Sequence, residues 1–100
     1  MLHTVNKSPF EKNSLQTCLR LSKPGSDILL IEDAVYAATA GTSVSDLVTA
    51  AIQNHGVYAL GPDLASRGID EASLLQGVKV VDYAGFVNLA VGKDKVQSWL

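Results

Sequence analysis

Four short apolar segments, separated by segments with helical features, most constrain what this chain can fold into. They cover residues 1–5, 27–31, 57–60 and 78–81. The second segment is apolar throughout after its first residue, as a strand buried on both faces would be. Strands that alternate with helices are typical of a parallel sheet covered by helices on both faces. We therefore expect an α/β protein, a three-layer α/β/α fold with a small parallel sheet of about four to five strands.

The segments between the predicted strands carry helix start and stop signals. The first helix has two candidate starts, at Ser8 and at Asn13, and the Lys-Pro-Gly sequence of residues 23–25 stops it. Residues 34–40 are rich in small apolar residues on every side, which favours a buried helix. Further helices are predicted at residues 44–53, 62–67 and 83–91, with one additional turn at residues 71–75 and an amphipathic tail at residues 93–100.

Charge and composition exclude several classes of protein. The chain has 8 Lys and Arg against 10 Asp and Glu, and its basic residues are scattered, which argues against direct nucleic-acid binding. No apolar run approaches the roughly 20 residues of a membrane span. The single cysteine cannot form an internal disulfide, and no signal peptide is evident. We expect one domain over residues 1–100, located in the cytoplasm.

The predicted elements carry short blocks that together resemble a known family. The chain is similar to the DsrH/TusB family of sulfur-relay subunits, and the similarity rests on the order and spacing of the blocks. These blocks are His3-Thr4, Lys7-Ser8-Pro9, Leu30-Ile31-Glu32-Asp33, Tyr58-Ala59-Leu60, Asp63-Leu64, Arg67-Gly68, Val81-Asp82-Tyr83, Phe86-Val87 and Trp99-Leu100.

The resemblance implies both a fold and an assembly. It implies a sheet between helices, and a 2:2:2 heterohexamer with two homologous subunits, one DsrE/TusD-like and one DsrF/TusC-like. A DsrC/TusE-like protein would accept the sulfur from this complex. In the family, a cysteine of the DsrE/TusD-like subunit carries the persulfide in a loop after a central strand. The corresponding loop here, residues 61–63, contains no cysteine.

Cys18 is the one soft nucleophile of the chain. It is a candidate secondary sulfur-accepting thiol, because thiolates attack persulfides readily when their pKa is lowered. The favoured alternative is a packed hydrophobe, because Cys18 shares a helical face with Leu15 and Leu19 and free cysteines are commonly buried. DsrH-type members resemble this chain in having a cysteine in the first helix, which favours that branch of the family.

Four polar residues and one loop are further candidate sites. Glu32 and Asp33 could hold a metal or act as acid and base, but Asp33 is more simply the N-cap of the next helix. His3 is predicted to be packed and hydrogen-bonded, and His55 to lie favourably at a helix C-terminus. Residues 61–63 could cradle an anion, but the proline removes a donor, so phosphate binding is not expected. We expect no cofactor and no metal.

Aromatic residues are the candidate subunit contacts, because aromatic side chains are enriched where subunits meet. For Trp99 the alternative of ordinary core packing is equally favoured. The candidates are Tyr36, Tyr83, Phe86 and Trp99.

From these features we expect a subunit that mainly completes a cytoplasmic sulfur-transfer hexamer in dissimilatory sulfur oxidation. The first alternative is a TusB-type subunit of the relay for 2-thiolation of the wobble uridine in tRNA. An alternative from another class is a sulfurtransferase in its own right that depends on Cys18.

Overall fold

The computed structural model describes residues 1–93 and 95–100. In this part of the chain, five parallel strands form one sheet in the order β4-β3-β2-β1-β5. The strands are β1 (Leu2–Val5), β2 (Asp27–Leu30), β3 (Gly56–Leu60), β4 (Lys79–Val81) and β5 (Val96–Trp99). The parallel sheet predicted from the alternating segments is confirmed.

The helices between the strands are α1 (Ser14–Leu21), α2 (Ser45–Ile52), α3 (Gly61–Ser66) and α4 (Tyr83–Val91), with short 3₁₀ helices at Glu32–Ala38 and Glu71–Ser73. The second of the two candidate starts of α1 is the one used, while the Ser8 carbonyl only closes a turn with the amides of Glu11 and Lys12. The apolar segment after β2 is a 3₁₀ helix. Its buried residues are Ala34, Val35, Ala37 and Ala38.

Two expectations about local structure were wrong. The tail of residues 93–100 contains β5, which pairs in parallel with β1 so that Val5 lies beside Trp99. The N-cap position of the 3₁₀ helix is Ile31 rather than Asp33, because the helix already begins at Glu32. In both cases contacts with residues distant in sequence outweigh the local pattern.

The sheet has one heavily covered face and one lightly covered face. On the first, which we call the main face, Val5, Ile28, Leu30, Val57 and Ala59 form one core cluster with buried residues of α1, α2 and α3. The chain moves in one direction from β1 to β4 and then returns across the sheet to β5. Because such crossovers are right-handed, the return places α4 on the opposite face.

That opposite face, which we call the α4 face, carries a second buried group. Leu2, Leu29 and Leu60 are almost completely buried there, and Val81 pairs with Leu60 on the same face. An ideal Cβ at Gly85 would lie only 2.9 Å from the Val81 Cβ, so α4 lies close against β4. Helices on both faces complete the predicted three-layer arrangement. Among the described residues, none of the helices is long and apolar enough to cross a membrane.

Candidate functional site

The carboxyl ends of β2 and β3 bring two loops together, as expected for neighbouring parallel strands. Glu32 follows β2 with a φ of 50°, a left-handed conformation that costs a non-glycine residue about 1 kcal/mol or more. Its backbone N–H donates a hydrogen bond of 2.6 Å to Oδ2 of Asp63 in α3. The Asp63 carboxylate therefore holds the strained backbone of the β2 loop against the β3 loop.

Arg67 makes the second link between these loops. Its Nε donates to Oδ1 of Asp33 at 2.9 Å, Nη2 lies 2.9 Å from the same oxygen, and Nη1 donates to the Asp63 carbonyl at 3.3 Å. The Asp33 side chain is 58% exposed and that of Arg67 is 22% exposed. Asp33 therefore pairs with an arginine at the surface instead of capping a helix. We call Glu32, Asp33, Asp63 and Arg67 the strand-end cluster.

The strand-end cluster is suited to positioning a loop. Within the described residues, no group of three or more His, Cys, Asp or Glu side chains could hold a metal ion. Residues 61–63 open α3, and Asp63 directs its carboxylate to Glu32, so an anion approaching this end of α3 would meet a negative charge. The loop presents no thiol. The sequence marks Glu32, Asp33 and the loop of residues 61–63 as candidates, but it gives no sign that Glu32 pairs with Asp63 or that Asp33 pairs with Arg67.

Cys18 lies in the main core and has no exposed surface. It is fully buried and belongs to the cluster that contains Leu15, Ile28 and Leu30. Burial raises the pKa of the Cys18 thiol to about 12, so at neutral pH almost none of it is thiolate. Because the thiolate is the reactive form, this environment is that of a packed residue rather than a nucleophile.

The two histidines both have hydrogen-bond partners. His3 is 3% exposed, and its Nδ1 accepts a 3.1 Å hydrogen bond from the indole N–H of Trp99. Burial lowers the pKa of His3, which favours the neutral ring. His55 follows α2, with its Nδ1 lying 3.0 Å from the Ser26 carbonyl and 3.2 Å from the Ser26 hydroxyl. The packed, hydrogen-bonded His3 agrees with the interpretation made from the sequence.

The candidate contact aromatics do not share one surface. Tyr83 and Phe86 lie on α4, where Tyr83 is 60% exposed and Phe86 is half-buried. Tyr36 is exposed at the end of the 3₁₀ helix, and Trp99 is half-buried against the main core. None of the nine residues of α4 is buried and none is charged. Val87 and Val91 continue from Tyr83 at intervals of four residues, with 57% and 79% exposed, so an apolar stripe faces solvent.

Comparison with known proteins gives consistent results over the whole chain. A family model described as DsrH like protein matches residues 7–96. The chain is 37% identical to protein TusB of Erwinia tasmaniensis, covering 99% of this chain and 100% of that protein. Protein TusB of Escherichia coli K12 is 35% identical with the same coverage.

Solved structures with the same fold include two that cover nearly the whole chain. The crystal structure of the ychN protein from E. coli aligns with a TM-score of 0.79 at 25% identity, over 97% of each chain. Protein MTH1491 from Methanobacterium thermoautotrophicum aligns with a TM-score of 0.71 at 17% identity, over 97% of this chain and 95% of that one. The second likeness concerns the fold alone.

Proposed function

The chain belongs to the DsrH-like family, and we propose that it is a TusB-type subunit of a sulfur-relay complex that carries no sulfur itself. The main support is the combination of a full-length similarity to TusB proteins with a strand-end loop, residues 61–63, that lacks a cysteine. In the DsrE/TusD-like subunit, which the resemblance implies as a partner, a cysteine in that loop carries the persulfide. This chain would complete the assembly around the partner's site.

The names of the relatives favour tRNA thiolation over sulfur oxidation. Eight curated relatives at 34–37% identity carry the name TusB, whereas the expectation of dissimilatory sulfur oxidation rested on Cys18. A buried thiol with a raised pKa is a weak basis for that choice. We therefore place the 2-thiolation of the wobble uridine first and sulfur oxidation second.

The environment of Cys18 also argues against an independent sulfurtransferase. A persulfide-forming cysteine must be reached by its sulfur donor, and the Cys18 side chain is fully buried between α1 and the sheet. The strand-end cluster offers charges and hydrogen bonds but no nucleophilic sulfur. The Glu32–Asp63 hydrogen bond and the Arg67–Asp33 ion pair instead fix the shape of the loops that a partner would contact.

The stripe of Tyr83, Val87 and Val91 is our proposed subunit contact. A helix that is apolar on all sides is normally buried in its own core or in a partner, and α4 has no buried residue. The proposed occupant is one of the two homologous subunits of the hexamer. Phe86 is half-buried and so has less free surface to offer, while Tyr36 stays a second candidate contact beside the strand-end cluster.

Co-expression with the two homologous subunits tests the assembly. We expect a stable 2:2:2 complex by sedimentation, and we expect Val87→Glu to weaken it, because an unpaired charge in an apolar contact costs several kcal/mol. Leu21→Glu is the matched control, because Leu21 is 61% exposed on α1, a main-face helix. Equal assembly by both variants would contradict the α4 contact. A chain that binds neither partner would contradict the subunit role.

Sulfur loading and tRNA analysis test the rest of the proposal. The complex is incubated with a sulfur donor, the subunits are separated, and persulfides are counted by mass spectrometry, with Cys18→Ala as the variant. We expect persulfide on the DsrE/TusD-like subunit in both complexes and none on this chain. Sulfur on Cys18, with delivery to the DsrC/TusE-like acceptor lost in Cys18→Ala, would contradict the proposal.

The pathway is tested separately in a bacterium that lacks its own TusB. Expression of this chain with its cognate partners should restore 2-thiouridine at the wobble position of tRNA, measured by mass spectrometry of nucleosides. An assembled complex that loads persulfide but restores no 2-thiouridine would favour the sulfur-oxidation alternative.

A further inference from the structure

A groove of about 480 Å³ lies on the main face beside the C-terminal end of α1. It arises because β5 extends the sheet beyond β1 and residues 96–98 remain exposed. His3, Gln97 and Trp99 form its floor, and Leu21 and Lys23 form the α1 side. Its volume falls within the range of roughly 300–1,000 Å³ that is usual for small-molecule sites. We call it the α1–β5 groove.

The floor of the groove presents a hydrogen-bond donor in a fixed orientation. An indole N–H can only donate, so Nδ1 of His3 must accept the hydrogen bond from Trp99. In the neutral ring the proton then lies on Nε2. Among the described residues, Nε2 of His3 has no hydrogen-bond partner. Nε2 is also not a buried atom, because the one buried side-chain polar atom without a partner in the described part of the chain is Oδ1 of Asn6. Nε2 of His3 is therefore accessible to solvent. The groove, which His3 lines, is the opening through which solvent reaches it.

The charge lining the groove has a single sign. Lys23 and Lys95 both line it, and no Asp or Glu does so among the described residues. Neither lysine belongs to an ion pair in that part of the chain, where the pairs are Arg67 with Asp33 and Lys93 with Asp27. In a chain with a net charge of −2, two lysines in a groove that no described carboxylate lines are a local excess of positive charge.

From this arrangement we propose that the α1–β5 groove binds a small organic carboxylate with an apolar body. The carboxylate is stabilised by the two ammonium groups and accepts the Nε2–H of the neutral His3 ring, since hydrogen bonds to an ionised partner are stronger than those between neutral groups. The apolar body packs against Leu21 and the indole of Trp99. This site is on the opposite side of the sheet from α4 and does not depend on the sulfur-relay function.

Trp99 provides the readout, because it is the only tryptophan of the chain. The full chain is prepared with isotope-labelled tryptophan, so that NMR shows one indole N–H resonance, and benzoate is added as the probe. The same label can be followed after assembly with unlabelled partner subunits. We expect a saturable shift of this resonance with a dissociation constant on the order of 1 mM, as suits a ligand of this size.

Matched ligands and variants separate the proposed site from general effects. Benzamide, which has the same shape without the charge, and acetate, which lacks the ring, should each bind at least about fivefold more weakly. Lys95→Gln should weaken benzoate binding by about threefold or more, whereas Lys12→Gln, at an exposed position outside the groove, should not change it. Equal responses to benzoate and benzamide, an equal effect of the two variants, or no saturable shift at about 20 mM would overturn the proposal.

Discussion

Gly85→Ala is the substitution that most directly tests how α4 lies on the sheet. The added Cβ would lie 2.9 Å from the Val81 Cβ and 3.3 Å from its Cγ1, and the first of these atoms cannot rotate away. Such overpacking destabilises proteins by about 1–3 kcal/mol. Replacing Gly by Ala in a helix otherwise increases the free energy of unfolding by about 0.4–1 kcal/mol. We therefore expect a net loss of about 0.5–2 kcal/mol in the free energy of unfolding.

Gly92→Ala is the matched control at the other end of α4. Gly92 has a φ of −77° and a ψ of 0°, which alanine adopts freely, and its Cβ would approach nothing closer than the Asn88 carbonyl at 3.8 Å. The free energy of unfolding of this variant should rise by about 0.4–1 kcal/mol, although the chemical change is the same as in Gly85→Ala. The amide of residue 85 is retained in Gly85→Ala, so the 2.8 Å hydrogen bond to the Asp82 cap can persist.

Urea unfolding followed by circular dichroism measures both variants, at several protein concentrations to separate folding from association. The midpoint should fall for Gly85→Ala and rise for Gly92→Ala. Gly85→Ala should cost less in a Val81→Ala background than in the natural chain, by about 0.5 kcal/mol or more, because the contact to Cγ1 is then absent. If Gly85→Ala stabilises the chain as much as Gly92→Ala does, the close approach of α4 to β4 is refuted.

Three further predictions concern the buried groups and the strand-end cluster. Cys18 should react with iodoacetamide in the native protein only as fast as the protein unfolds, and it should react fast in urea, because its thiol is buried with a pKa of about 12. Fast alkylation of the native protein would contradict this burial. Because the folded state lowers the pKa of His3, the unfolded state binds its proton more strongly, so stability should fall as the pH drops below about 6.5. The fall should be smaller in His3→Gln, and equal slopes in urea titrations at each pH would contradict this. Arg67→Met should lose about 0.5–1 kcal/mol, as suits a partly exposed pair, with Lys12→Met as an unpaired control measured beside it; no difference between the two would mean that the Arg67–Asp33 pair contributes nothing.

The sequence by itself determined the class of fold and the family. Continuous apolar runs such as residues 28–31 are typical of strands covered on both faces, and alternation with helices favours a parallel arrangement of such strands. The burial of Ala34, Val35, Ala37 and Ala38 also followed from composition, because small apolar residues leave little polar surface for water; the exposure of Tyr36 among them did not. The packed state of Cys18 followed from its position beside Leu15 and Leu19.

Only the tertiary structure decided which distant residues became neighbours. Residues 96–99 alternate weakly over four positions, which is too short to distinguish a strand from a tail, and their pairing with β1 depends on a return across the whole sheet. The Trp99 bond to His3 joins residues 96 positions apart, and the Asp63 bond to Glu32 joins residues 31 apart. Local periodicity indicates which face of the sheet a side chain occupies, but the order of the strands sets its neighbours, and that order depends on how the whole chain packs its apolar surface.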